Sequence, residues 1–156
     1  MFLLLDSSVL GRLCHTSRKQ YLPLQERLRA FRVLDREHNK VFVSDVADYE
    51  VRRKLLHMIA KQQALPRAIE RLDEICFRSE YVPIDTDTMH LAAQLWADAR
   101  SRGRPTASEE SLDTDVILAA QAKLIGATVV TTNHKHIAQF VPTIDWTEIP
   151  TTLRNQ

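Results

Sequence analysis

Apolar residues along the chain fall into two alternating patterns, short unbroken runs and longer segments with helical spacing. Unbroken runs bounded by polar residues are typical of strands buried on both faces of a parallel sheet, and the longer segments predict helices that pack against it. We therefore expect an α/β fold, a three-layer α/β/α sandwich with a mostly parallel central sheet. The predicted strands lie at 2–5, 41–43, 81–84, 127–130 and 144–149, and the predicted helices at 8–14, 22–37, 46–62, 66–77, from a cap at 85–87 to 100, 112–126 and 134–140.

Two details of this pattern make specific structural predictions. Pro83 cannot donate a backbone hydrogen bond, so the strand at 81–84 is expected at an edge of the sheet. The segment 101–111 is rich in small polar residues and is expected to be a loop. The helix after this loop is expected to open at an acidic cap formed by Asp113 and Asp115.

Composition places the chain among ordinary globular proteins, with 44% hydrophobic and 26% charged residues. We expect one domain, residues 1–150, followed by a short tail at 151–156. Lys and Arg number 21 against 20 Asp and Glu, so a polyanion must be bound by local patches and not by a global field. Cys14 and Cys76 lack a zinc-binding spacing, and the apolar run at 2–5 is too short for a signal sequence or a membrane span, so an intracellular, soluble protein is expected.

Polar side chains follow two of the predicted strands. Asp6 stands directly after the first strand, with Ser7 and Ser8 behind it, and the fourth strand is followed by Thr131 and Asn133. Because the carboxyl ends of parallel strands meet at one edge of a sheet, where ligands bind in open α/β folds, these groups are expected to lie close together. The alternative for Asp6 is that it only caps the next helix.

Two further acids are expected at the same edge. Glu50 lies in the second turn of the helix after the second strand, on its partly inward side, although a surface ion pair with Lys54 would explain it too. Asp115 shares a helix face with Leu118 and points inward, where a carboxylate costs on the order of several kcal/mol unless a cation or strong donors stabilise it. Capping alone is the alternative for Asp115, and Asp113 stands beside it.

Carboxylates that converge without matching basic residues repel one another, and a divalent cation is the simplest group that stabilises them. Oxygen ligands without Cys or a helical His pair favour Mg²⁺ or Mn²⁺ over zinc. Such a site suits phosphodiester hydrolysis, because the metal activates water and neutralises phosphate oxygens. A phosphotransferase with Asp6 as nucleophile would want a second acid where Ser8 stands, and the 3 glycines of the chain form no phosphate-binding loop.

Three segments together resemble one known family. The chain carries LLLDSSVL near its start, an acid within SDVADYEVRRKL, and then LDTDVILAAQAKLIGATVVTTNHKHIAQF. Their order and spacing resemble the PIN domain and, among PIN domains, the VapC-like toxins of prokaryotic toxin–antitoxin pairs. The resemblance covers nearly the whole chain and implies a PIN-like α/β/α fold.

The resemblance also implies roles for individual residues. It implies that Asp6, Glu50 and Asp115 are catalytic and bind the metal, with Mg²⁺ or Mn²⁺ as the cofactor. The fourth acid of the family often follows the strand after which this chain has Asn133, so Asp113 is considered as a further metal ligand. The positions that match supporting groups of relatives are Ser7, Ser8, Thr131 and Asn133.

RNA cleavage, inhibition by a cognate antitoxin, a homodimer and a prokaryotic cytoplasmic location are further implications of the resemblance. RNA contact must then come from basic residues next to the site, although for each basic cluster a solvated surface is the alternative. Two other function classes stay open, a non-catalytic PIN-like module that binds RNA or protein, and a nuclease that acts on DNA. The candidate RNA-binding residues are Arg52, Arg53, Lys54, Arg102, Arg104 and Lys135.

Overall fold

Strands and helices alternate along the chain in a computed structural model, which describes residues 1–102 and 109–152. The strands are β1 (Phe2–Leu5), β2 (Lys40–Ser44), β3 (Glu80–Val82), β4 (Thr128–Val130) and β5 (Thr143–Ile144). The helices are α1 (Ser7–Leu13), α2 (Arg18–Leu34), α3 (Asp45–Ala60), α4 (Arg67–Arg78), α5 (Thr86–Ser101), α6 (Glu109–Ile125) and α7 (His134–Ile137), with a short 3-10 helix at Trp146–Glu148.

The strands form one sheet in the order β3-β2-β1-β4-β5, and every pairing in it is parallel. β1 is the central strand, where Leu4 pairs with Phe42 of β2 and with Val129 of β4. β3 lies at an edge and is followed by Pro83, so the predicted edge strand is confirmed. Because all strands run the same way, their C-terminal ends gather at one side of the sheet, which we term the carboxyl edge.

Helices cover both faces of the sheet, which confirms the predicted α/β/α architecture. Successive residues of a strand point to opposite faces, so Leu3 and Leu5 pack into one core and Leu4 into the other, each at most 1% exposed. The first core lies under α1 to α4, with Phe31 at its centre, and the second lies under α5 to α7, with Leu118 facing the sheet. None of the helices within the described residues combines the length and apolar character that a membrane span requires.

The start of α6 differs from the sequence-based expectation. The helix begins at Glu109, so Asp113 and Asp115 lie in its second turn, and the prediction that they open the helix is wrong. Acidic residues are favoured in the first turn of a helix, which allows this one to begin before the expected cap. Of the loop predicted at 101–111, residues 103–108 lie outside the described part of the chain.

The prediction of a strand at 144–149 is correct for Ile144 and wrong for the residues after it. β5 ends at Ile144, and a 3-10 helix follows. Asp145 accepts a hydrogen bond of 2.8 Å from the backbone N–H of Thr147, and its own backbone N–H donates to Glu148 at 2.9 Å. The Asp145 side chain also accepts from the backbone of Glu148, so these two residues form a capping box, which favours a helical turn over a strand at this point.

Candidate active site

Asp6 lies at the carboxyl edge, directly after the central strand, and is 8% exposed. It is the N-cap of α1, and its Oδ1 accepts a hydrogen bond of 2.6 Å from the backbone N–H of Ser7. Capping is therefore one part of its role in the structure. The other carboxylate oxygen, Oδ2, takes no part in the cap and is bound by hydroxyl groups instead.

Hydroxyl groups surround the Asp6 carboxylate. Ser8 Oγ and Thr131 Oγ1 each donate to Oδ2 at 2.8 Å, and Ser7 Oγ lies 3.4 Å from Oδ1. Thr131 is fully buried, and its Oγ1 also accepts a hydrogen bond of 2.9 Å from the backbone N–H of Asn133. These neutral donors fix the orientation of the carboxylate and leave its negative charge uncancelled.

Glu50 and Asp115 reach the same edge from helices on opposite faces of the sheet, α3 and α6. Burial, together with the charges of Asp6 and Glu50, raises the pKa of Asp115 to about 7 from its ordinary value of 3.8. The Asp6 and Glu50 carboxylates therefore lie close enough to Asp115 for their charges to act on it. We term Asp6, Glu50 and Asp115 the carboxylate cluster.

Positive charge is scarce around the carboxylate cluster. Among the ion pairs of the described residues, none involves Asp6 or Asp115, and Glu50 has one partner, Arg53, with 3.9 Å between Nη2 and Oε1. The cluster therefore holds more negative charge than the neighbouring side chains balance, and a bound cation would supply the missing charge.

The donor set of the cluster consists of carboxylate and hydroxyl oxygens, which suit Mg²⁺ or Mn²⁺. In the described part of the chain, no group of three or more His, Cys, Asp or Glu side chains is arranged to hold an ion directly. Mg²⁺ usually retains several waters and binds protein through one or two carboxylates, so Asp6 and Asp115 with bridging waters fit such an ion. We therefore treat the carboxylate cluster as a candidate metal site.

Asp113 and Asn133 are more exposed than the members of the carboxylate cluster. Asp113 is exposed in α6, and Asn133 is exposed at the start of α7, where its side chain makes no capping hydrogen bond. No hydrogen bond among the described residues joins either side chain to the carboxylate cluster. Their part in metal binding stays a prediction.

Two of the predicted RNA-binding residues lie beside the cluster. Arg53 and Lys54 are exposed and line a groove of about 960 Å³, whose lining also includes Ser7, Ser8 and Glu50. A phosphate that enters this groove from the carboxyl edge would meet two positive charges next to the acids.

The other candidate basic residues have different surroundings. Nη2 of Arg102 lies 3.9 Å from Oδ2 of Asp98 on α5, and Lys135 is exposed in α7. Arg104 lies outside the described residues. No contact among the described residues connects this group to the carboxylate cluster.

A second acid on α3 carries no prediction from the sequence. Asp48 is 9% exposed and accepts hydrogen bonds from Arg52 Nε at 3.0 Å and from the Tyr81 hydroxyl at 2.8 Å. Arg52 also pairs with Asp73 of α4 at 2.8 Å. Arg52, a candidate RNA contact in the sequence, is thus engaged by two acids. The i, i+4 spacing of Asp48 and Arg52 is the one local signal that could have indicated this network.

Gln121 is a further residue that sequence reasoning missed. It is fully buried in α6, where its Oε1 accepts a hydrogen bond from Ser44 Oγ and its Nε2 donates to the backbone carbonyl of Val82 at 2.8 Å. Ser44 is the N-cap of α3. Gln121 therefore ties the helix that carries Asp115 to the start of the helix that carries Glu50.

Comparison with known proteins places this fold and site in a family. The PIN domain family matches residues 3–140, a range that includes all three acids of the carboxylate cluster. The chain belongs to the PIN domain family. No curated protein sequence matches this PIN domain.

Solved structures resemble this PIN domain over nearly its whole length. VapBC2 from Rickettsia felis, bound to a DNA fragment from its promoter, has a TM-score of 0.65 at 17% identity, with 94% of this chain and 99% of that chain covered. DNA-bound VapBC from Salmonella typhimurium has a TM-score of 0.67 at 20% identity, covering 94% and 98%. FitAcB from Neisseria gonorrhoeae has a TM-score of 0.59 at 20% identity, covering 94% and 99%. The likeness shows the fold and confirms the resemblance to VapC-like PIN domains.

Proposed function

We propose that this PIN domain is a metal-dependent endoribonuclease that hydrolyses RNA phosphodiester bonds with metal-activated water and uses Mg²⁺ or Mn²⁺. The observation that carries the proposal is the excess of negative charge at the carboxyl edge, where no ion pair of the described residues involves Asp6 or Asp115. Asp6, Glu50 and Asp115 are proposed as both metal ligands and catalytic residues, with Asp113 or Asn133 completing the set.

Different residues of the chain have different proposed roles at this site. When bound, the divalent ion would supply an activated water and neutralise phosphate oxygens. Ser8 and Thr131 hold the Asp6 carboxylate in one orientation through their hydrogen bonds of 2.8 Å. Arg53 and Lys54, which line the adjoining groove, would orient the RNA backbone by contacts to its phosphates.

The biological role that we propose is that of the toxin in a toxin–antitoxin pair, with a cognate antitoxin protein as partner. The support is the fold, which is shared with VapBC and FitAB proteins. A homodimer in the cytoplasm of a prokaryote, built from a single domain of residues 1–150 with a tail at 151–156, belongs to the same proposal.

Cleavage of a labelled RNA by the purified protein tests the enzymatic part of the proposal. We expect cleavage with Mg²⁺ or Mn²⁺ and none after addition of EDTA. Asp6→Asn is expected to lower the rate by about 100-fold or more, because metal activation contributes several kcal/mol and each 1.36 kcal/mol is a factor of ten. Asp35→Asn is the matched control, since Asp35 precedes β2 at the opposite edge of the sheet.

The competing functions give different results in the same assay. Cleavage of RNA that persists in EDTA, or that is undiminished by Asp6→Asn in a folded protein, contradicts the proposal. Cleavage of DNA and not RNA identifies a DNA-directed nuclease. RNA binding without cleavage, in a protein that gains no stability from Mn²⁺, identifies a non-catalytic binding module.

A further inference from the structure

An exposed aromatic side chain stands beside the carboxylate cluster. Tyr49 directly precedes Glu50 in α3 and is 59% exposed. The guanidinium carbon of Arg53, one turn further along the helix, lies 5.1 Å from the centroid of the ring. A cation at this distance attracts an aromatic face, so Arg53 helps to hold the exposed ring in place.

Arg53 connects Tyr49 to the candidate site. Its Nη2 lies 3.9 Å from Oε1 of Glu50, a member of the carboxylate cluster. Arg53 and Glu50 also line the groove whose lining includes Ser7 and Ser8. The guanidinium group of Arg53 thus contacts both the Tyr49 ring and a carboxylate of the candidate site.

The position of Tyr49 on α3 separates it from the structural contacts of that helix. Ala47 and Val51 are buried in the core, and Asp48 and Arg52 face β3 and α4 through the network described above. Among the described residues, the contact with Arg53 is the one hydrogen-bonding, ionic or aromatic contact that Tyr49 makes. Within the described part of the chain, the specific contact of the Tyr49 ring is therefore made with a residue of its own helix.

We propose that Tyr49 is a stacking platform for an unpaired nucleobase next to the scissile phosphate of single-stranded RNA. The proposal rests on the proposed endoribonuclease function and names a determinant of its substrate class. Unpaired bases stack on exposed aromatic rings and guanidinium planes whatever their identity, whereas a base inside a duplex has no free face. Arg53 then neutralises the phosphate beside the stacked base.

Equilibrium binding of a fluorescent single-stranded RNA tests the platform without cleavage. The parent protein carries Asp6→Asn, and affinities are measured by fluorescence anisotropy in Mg²⁺. Adding Tyr49→Ala is expected to weaken binding about 10-fold, and adding Tyr49→Trp to preserve it, because stacking needs an aromatic face. Phe77→Ala is the matched control, since Phe77 is 91% exposed near the end of α4 and distant in sequence from the carboxylate cluster.

A set of RNAs, each lacking the base at a different position, shows whether Tyr49 acts by stacking on a base or by a structural role. The parent is expected to lose about 10-fold in affinity when the base at one position is missing, and the Tyr49→Ala protein to lose nothing further at that position. The proposal is overturned by equal losses in both proteins at every position, or by a Tyr49→Ala affinity equal to that of Phe77→Ala.

An RNA cleavage assay of the chain with Asp6 intact distinguishes a failure of the stacking platform from a failure of the proposed function. RNA cleavage without coupling between Tyr49 and any base overturns the stacking platform alone. Base-dependent binding through Tyr49 in a protein that cleaves no RNA supports the platform and overturns the endoribonuclease.

Discussion

Two of the acids on helix α3, Asp48 and Glu50, lie only two residues apart and have opposite surroundings. Asp48 accepts hydrogen bonds from Arg52 at 3.0 Å and from the Tyr81 hydroxyl at 2.8 Å. The charge of Glu50, with that of Asp6, acts on Asp115, and the ion-pair partner of Glu50 among the described residues, Arg53, has its Nη2 at 3.9 Å from Oε1 of Glu50. Charge is therefore balanced on one side of the helix and unbalanced on the other.

The difference shows how structural and functional acids can be told apart in this domain. A buried acid with a cation and a hydroxyl donor contributes to folding, because its charge is stabilised in place. An acid whose pKa is raised by burial and by neighbouring acids, as that of Asp115 is by Asp6 and Glu50, costs folding free energy and is typical of functional sites. The two kinds of acid should respond to the same substitution in opposite directions.

Neutralising the balanced acid should give the largest change in stability. Asp48→Asn removes the charge that Arg52 pairs with and is expected to lower the free energy of unfolding by about 1–3 kcal/mol. Asp73→Asn is the matched control, expected to cost less than about 1 kcal/mol, because the Asp73 side chain is 57% exposed. Urea denaturation measures the free energy of unfolding of both variants. An Asp48→Asn protein as stable as the wild type would contradict the distinction between balanced and unbalanced acids.

Neutralising an unbalanced acid should give a smaller change of the opposite sign. In EDTA, at a pH above the value of about 7 to which the pKa of Asp115 is raised, Asp115→Asn removes a repelled and partly buried charge. The free energy of unfolding is expected to rise by up to about 1 kcal/mol, a modest figure because the group is partly solvated. Asp113→Asn, an exposed neighbour, should change nothing. A loss of stability in Asp115→Asn would show that this acid is paired.

The carboxylate cluster could be predicted because its members follow rules that act along the chain. Asp6 ends an unbroken apolar run, and parallel strands bring the ends of such runs to one edge. Asp115 stands on the apolar face of its helix, so its inward position follows from helical periodicity. The metal-binding roles assigned to these acids came from the resemblance to the PIN domain as much as from their spacing.

Other polar groups could not be predicted, because their partners come from distant parts of the chain. The hydroxyl that satisfies Asp48 belongs to Tyr81, 33 residues later, and the one that Gln121 accepts belongs to Ser44, 77 residues earlier. In the sequence, a buried Asp48 looks the same as a solvated one, and Gln121 looks like an interruption of an apolar helix. Tertiary packing decides both cases.

Calorimetric titration of Mn²⁺ into the metal-free protein tests the central claim that the carboxylate cluster is a metal site. The wild type is expected to bind Mn²⁺, and Asp48→Asn to bind it equally well. Asp6→Asn and Asp115→Asn are expected to bind at least about 10-fold more weakly, since even the outer partners of a metal site contribute that much. No binding to the wild type, or undiminished binding to Asp6→Asn, would contradict the account.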